Sequence, residues 1–139
     1  MRILAVDLGD KRVGLAVSDT SGIIATPKSG FNFKNICYSL DYISNISDEL
    51  EVNLILLGMP FLLSGSYGEQ AKKVKKFATE LRKKVSIKVD IIDERFSSVE
   101  AKRRLIENTS KKSKYRLKNL DSAAAAVMLQ SYLDFSNKV

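Results

Sequence analysis

The stretch ILAVDLGDKRVGLAV, residues 3–17, constrains this chain more than any other. Two apolar runs of strand-like composition flank the short polar turn Leu8-Gly9-Asp10-Lys11. That pattern predicts an antiparallel hairpin of strands over 2–7 and 12–19, with Gly9 supplying the turn conformation. Alternation along the first strand puts Ile3, Ala5 and Asp7 on one face and Leu4 and Val6 on the other. Both faces are apolar, so the strand belongs in the middle of a sheet covered on both sides. Yet it ends on a carboxylate, which is expensive there unless it is paired, metal-bound or at the solvated rim.

The rest of the chain extends this sheet. Residues 22–29 (GIIATPKS) read as a third strand, with Pro27 marking an edge or a strand end. Ile36, Leu40, Ile43 and Leu50 recur at roughly helical spacing and predict a helix over 34–50. The continuous apolar run at 53–58 (NLILLG) is that of a strand covered on both faces. Ala71, Val74, Phe77, Ala78 and Leu81 form one helical stripe within 68–84. A fifth strand covers 87–92 (IKVDII). Ser97 and Glu100 have capping-box spacing for a helix over about 98–107. Residues 109–118 (TSKKSKYRLK) have no apolar period and predict a mobile basic loop. A last helix covers 120–135. Three meandering strands followed by βαβ-type crossovers predict an α/β fold: a five-stranded mixed sheet with helices on both faces.

Composition narrows the chemistry. The 139 residues suit one domain, 1–139, with a real core. No apolar run reaches the length of a membrane span, and the start of the chain lacks the parts of a signal peptide, so a cytoplasmic protein is expected. A monomer and a homodimer both fit the sequence. Cys37 is the sole cysteine, and histidine is absent. Without histidine, Ser-His-Asp and Cys-His catalysis and all histidine-bearing zinc sites are excluded. Acid–base or metal work must then fall to carboxylates, Lys, Tyr, Ser, Thr or water. The net charge of +7, from 23 Lys and Arg against 16 Asp and Glu, favours a polyanionic partner such as nucleic acid.

Three acids stand at the ends of elements. Asp7 ends the first strand; the fifth runs apolar through Ile91 and Ile92 and then meets Asp93-Glu94-Arg95; Asp121 opens the last helix before four alanines. Alanine has little bulk, so that end of the helix can approach the sheet and bring Asp121 near the strand ends. Hard divalent cations such as Mg2+ or Mn2+ take oxygen ligands. Two such ions about 4 Å apart activate water and stabilise the leaving oxygen in phosphodiester cleavage. Singly, each acid also has a plain structural reading. Asp7 could cap the hairpin turn, Asp121 could cap a helix, and Glu94 could pair with Arg95 or another base.

With these segments in view, the chain resembles the YqgF family. Its members have a ribonuclease H-like fold and carry the names pre-16S rRNA nuclease and, formerly, Holliday junction resolvase. The resemblance rests on DLGDKRVGLAVSD at 7–19, GMPFLLSGSYGEQAKKVKKFATEL at 58–81, DERFSS at 93–98 and LDSAAAAVMLQ at 120–130, in the family's order and spacing. It implies that Asp7, Glu94 and Asp121 are the catalytic and metal-holding acids, and that the substrate is precursor rRNA or branched DNA. Lys11, Arg12 and Arg95 stand beside these acids and are candidates to hold substrate phosphates. Lys111, Lys112 and Lys114, in the basic stretch before Asp121, are candidates to gather nucleic acid without doing chemistry. The chain departs from the family in the loop after Pro60, where Leu62 and Ser64 replace the usual asparagine and aspartate; that departure bears on substrate preference.

Three function classes compete. A metal-dependent endonuclease uses all three acids. A non-catalytic nucleic-acid-binding module has no evident use for negative charge beside phosphates. An actin- or sugar-kinase-like nucleotide binder, suggested by DLG followed by a basic residue, needs two such domains facing each other, for which 139 residues are too few. The endonuclease ranks first.

Overall fold

The computed structural model describes residues 1–59, 68–93, 103 and 122–137. Its elements run β1 (Ile3–Leu8), β2 (Arg12–Ser18), β3 (Ala25–Asn32), α1 (Ile36–Glu49), β4 (Leu54–Met59), α2 (Glu69–Lys84), β5 (Lys88–Asp93) and α3 (Ser122–Asn137). The strands form one sheet in the order β3-β2-β1-β4-β5. β1 pairs antiparallel with β2 and parallel with β4, and β5 lies parallel to β4. The strand that is apolar on both faces up to Asp7 is therefore the central one, as its composition requires.

Alternation divides the core in two. Leu4, Val6 and Leu8 of β1 join Ile55 and Leu57 of β4 beneath Leu40 and Ile43 of α1 and Val74, Phe77 and Leu81 of α2. Ile3 and Ala5 join Ala16, Ala25, Leu54 and Leu56 beneath Ala125, Ala126, Met128, Leu129 and Leu133 of α3. All six residues of β4 are buried, in keeping with its unbroken apolar run. Small residues meet small ones where α3 crosses the sheet, so this helix rests on β1, β2 and β3 through alanine. The expected mixed sheet with helices on both faces is the observed one. Of the helix expected over 98–107, Arg103 alone is described; it is helical and exposed.

Two local expectations need correction. The hairpin turn needs Gly9 for space rather than for an unusual backbone angle. Gly9 N donates to the Arg12 carbonyl at 2.9 Å, and a Cβ on Gly9 would lie 2.7 Å from that same oxygen. The third strand covers 25–32, not 22–29. Residues 19–24 turn instead: the Asp19 carboxylate accepts from the N–H groups of Ile23 at 2.7 Å and Ile24 at 3.0 Å and from the Ser21 hydroxyl. Gly22 adopts φ +71° within the turn. Local carboxylate–backbone bonds of this kind outcompete extension even in β-branched residues. Pro27 lies in β3, which is an edge strand, as expected of a residue that cannot donate to a ladder.

Burial works to raise the pKa of Asp19, but the bonds from Ser21, Ile24 and Ile23 outweigh it and hold the carboxyl at about 2, below the ordinary 3.8. Because the folded-state value is the lower one, this stabilisation is present in full above 3.8 and fades as pH falls toward 2. The stability gap between wild type and Asp19→Ala is expected to close across that window in thermal melts. A gap independent of pH would show that the charge does not hold the turn.

A bulge between Val13 and Leu15 shifts the β2–β3 register. Opposite it, a Cβ on Gly30 would lie 2.2 Å from the Val13 carbonyl oxygen, and backbone cannot yield as a flexible side chain would. Gly30→Ala is expected to cost about 1–3 kcal/mol, seen as a lower calorimetric Tm. An unchanged Tm would mean that the bulge relaxes freely.

Candidate active site

Asp7 is half-buried near the end of β1, directly opposite Gly14 of β2. It shares its face of the strand with Ile3 and Ala5, which pack under α3. The hairpin turn beside it is satisfied without it. Gly9 N reaches the Arg12 carbonyl, Gln70 Nε2 donates to the Leu8 carbonyl, and Lys73 Nζ donates to the Gly9 carbonyl at 3.0 Å. Among the described residues no hydrogen bond or ion pair engages the Asp7 carboxylate. The turn is therefore capped without this acid, and an acid near the end of a buried strand has no structural task among the described residues.

The described elements that border the other two acids in sequence, β5 and α3, end and begin at the same end of the sheet. Val6 lies beside Leu57, and Leu57 beside Ile91, so parallel β1, β4 and β5 finish together. β5 ends at Asp93, one residue before Glu94. α3 begins at Ser122, one residue after Asp121, and Ser122 is completely buried. Its hydroxyl accepts from Leu15 N at 3.2 Å and donates to the Lys28 carbonyl. Leu15 adjoins Gly14, the partner of Asp7. Glu94, Arg95, Asp121, Lys111, Lys112 and Lys114 themselves lie outside the described residues, as does the whole basic loop. Among the described residues no three acidic or cysteine side chains gather into a metal-sized cluster.

The two described basic candidates stand at the hairpin. Lys11 is exposed, and its carbonyl accepts from Phe33 N at 2.8 Å. Arg12 is half-buried, with Nη1 donating to Asn32 Oδ1 at 2.7 Å, so its guanidinium is braced against the end of β3.

Four supporting residues, three at this end of the sheet and one at the other, escape a reading of the sequence alone. Gln70 and Lys73 clamp the hairpin from α2. Ser122 pins the start of α3. Gln130 is buried, accepts from Ala25 N and donates to the Ile23 carbonyl, both at 2.9 Å, and so ties α3 to the beginning of β3. A signal existed for the last two: a hydroxyl just before four alanines and a glutamine inside the apolar run AAAAVMLQSYL, each a polar group that must find a backbone partner if buried. No helix of the described residues is long and apolar enough to cross a membrane.

Comparison with known proteins agrees with this architecture. Residues 1–135 match the RuvX family, described as Holliday junction resolvase. A protein of Halothermothrix orenii is 39% identical over 139 residues, covering 100% of this chain and 99% of that protein. One of Thermoanaerobacter pseudethanolicus is 38% identical over 134 residues, covering 96% of each. Both bear the name "Putative pre-16S rRNA nuclease". Among solved structures, Thermus thermophilus RuvC in complex with a Holliday junction superposes with a TM-score of 0.64 at 9% identity, covering 99% of this chain and 96% of that one. The fowlpox virus Holliday junction resolvase gives 0.57 at 12% identity over the whole of both chains. At such low identity these two share the fold, which is the ribonuclease H-like one. The match over almost the entire chain, together with relatives near two-fifths identity, establishes the YqgF resemblance: the chain belongs to the RuvX (YqgF) family of nucleases.

Proposed function

We propose that this nuclease hydrolyses phosphodiester bonds with Asp7, Glu94 and Asp121 as its catalytic acids, acting on the 5′ side of precursor 16S rRNA. The observation that carries the site is Asp7 itself. A half-buried carboxylate near the end of a central strand, with no bond to it among the described residues, is suited to a ligand rather than to the fold. The parallel finish of β1 and β5 and the anchoring of Ser122 support a meeting of all three acids. The substrate rests on the relatives' name, and Leu62 and Ser64 stand where substrate preference is in question.

The donor set fits a hard divalent cation, Mg2+ or Mn2+. Carboxylate oxygens are what such ions take, and a chain without histidine has no competing nitrogen ligand. The chemistry such an ion supplies when bound is activation of water and neutralisation of charge on the phosphoryl oxygens. The chain's own residues do the rest. Strand pairing fixes Asp7 in direction, and the tight turn at Gly9 keeps Lys11 and Arg12 close behind it. Lys11, Arg12 and Arg95 draw the phosphodiester in and hold it against repulsion from the acids. The basic stretch with Lys111, Lys112 and Lys114 gathers the polymer by charge alone.

A four-way DNA junction is the second reading, favoured by the description of the family that residues 1–135 match. The test incubates the purified protein and manganese with labelled 5′-extended precursor 16S rRNA and, separately, with a four-way junction. Mapped cuts near the mature 5′ end support the first reading. Cutting confined to the junction reverses the ranking, and cutting of neither sinks both.

A further inference from the structure

Beside the hairpin turn, two lysines are seated on aromatic rings. Lys73 Nζ lies 3.9 Å from the centroid of the Phe33 ring, besides its bond to the Gly9 carbonyl. Lys34 Nζ lies 4.6 Å from the centroid of Tyr38, at the start of α1. Phe33 N bonds the Lys11 carbonyl, so Lys11, Lys73, Phe33, Lys34 and Tyr38 form one continuous strip. It runs from the turn after Asp7 to the N-terminal end of α1. The strip is not paired internally. The ion pairs of α2 involve Lys72, Lys83 and Lys84, and none joins Lys73 or Lys34 to a carboxylate among the described residues. Among the described residues the half-buried Lys73 ammonium has a carbonyl and a ring beside it but no anion, the group that would best compensate it.

We propose that Lys73 and Lys34, each held by a ring, form with Lys11 a phosphate track that carries a single-stranded stretch of the substrate away from the Asp7 end of the sheet. This rests on the reading of Asp7 as part of the reacting centre. A free lysine loses much rotamer freedom when it fixes on a phosphate. These two have already lost part of it against Phe33 and Tyr38, so binding costs them less. Several cations along a strip suit the spaced charges of a polymer better than one small anion. Tyr38, 38% exposed, offers aromatic surface to an unstacked base, which a duplex does not present.

The test is a salt titration with a labelled single-stranded RNA of mixed sequence, in an Asp7→Asn background that binds without cutting. Lys34→Gln with Lys73→Gln removes two phosphate contacts. At about 0.7 per contact on a single strand, the slope of log affinity against log salt should become shallower by about 1.4, and binding near 0.1 M salt should weaken about 25-fold. Lys75→Gln with Lys76→Gln removes the same charge from an exposed face of α2 and should change the slope by less than half as much. Phe33→Leu keeps the charge and frees the ammonium, so it should weaken binding about two- to fivefold with the slope unchanged.

Equal losses for the two lysine pairs would mean diffuse attraction and overturn the track. A weaker Lys34/Lys73 variant with an unchanged slope would mean that Lys73 only staples the turn, and would overturn it as well. If a duplex of the same sequence shows the larger slope change, the single-strand assignment is wrong. Cleavage is scored separately with Asp7 intact. Binding without cleavage removes the nuclease mechanism and leaves the track standing, whereas cleavage with an unaltered slope removes the track alone.

Discussion

Asp7→Asn is expected to lower metal-supported cleavage about a hundredfold or more while leaving the fold intact. Loss of an outer-shell partner of a metal ligand already costs about 10- to 100-fold. Converting a ligand itself from carboxylate to amide removes a full charge as well as an oxygen donor and should cost at least that much. The same change should not weaken the protein. Asp7 makes no bond among the described residues that asparagine would break, and a neutral amide is cheaper to keep half-buried than a charge. Gathered acids also repel one another in the absence of a cation. The thermal midpoint of Asp7→Asn without metal is therefore expected to equal or exceed that of wild type, and the rise in midpoint on adding manganese should shrink. Calorimetry with and without the ion, beside a cleavage assay, measures both. A variant that cuts at the wild-type rate removes Asp7 from the reaction. One that loses activity and unfolds much earlier makes it a structural residue.

The sheet was legible because its signals are redundant. Apolar on both faces means central, and this gave β1 its place; an unbroken apolar run gave β4; stripes at helical spacing gave α1 and α2. The bounds that missed did so where side chains compete with backbone pairing. GIIAT looks extended, but Asp19 captures the N–H groups of Ile23 and Ile24 and delays β3 to Ala25. Asn35 does the same before α1, accepting from Tyr38 N at 2.8 Å and starting the helix at Ile36 rather than 34. At the candidate site, Asp7 stands out in the sequence because a carboxylate at the end of an apolar run is conspicuous. Two of the residues that brace the hairpin beside it do not. Gln70 and Lys73 look like ordinary polar residues of an amphipathic helix, and only the approach of α2 to the hairpin gives them a carbonyl each. A bulge such as that after Val13 leaves little trace in composition, since it depends on how two strands meet.

That bulge bears on the second large effect, expected from Ser122→Ala. Leu15 and Lys28 face each other across β2 and β3 just where the register has shifted. The Ser122 hydroxyl stands between them, accepting from Leu15 N and donating to the Lys28 carbonyl. One side chain of α3 thus bridges the β2–β3 ladder beside the bulge, from a position with no exposure to solvent. Alanine would leave a buried donor and a buried acceptor unpaired. Each such group costs about 1–3 kcal/mol, and partial closure of the strands recovers some of it, so a net loss of about 2–4 kcal/mol is expected in denaturant unfolding. Activity should fall for a separate reason. Asp121 precedes Ser122 directly, and the hydroxyl is what holds the start of α3 one residue along β2 from the partner of Asp7. Loosening that anchor should lower kcat about 10- to 100-fold, as loss of a group that orients a ligand does. KM should change less than kcat, because Lys11, Arg12, Lys34 and Lys73, four of the cations proposed to hold substrate, stand on the hairpin, before α1 and on α2 rather than on α3. Both constants are measured well below the unfolding midpoint, so that the folded fraction does not enter. If Ser122→Ala unfolds with wild type, the hydroxyl does not bridge the strands. If it is destabilised yet keeps its kcat, the start of α3 does not position the acid before it, and Asp121 would have to be assigned to the helix cap instead.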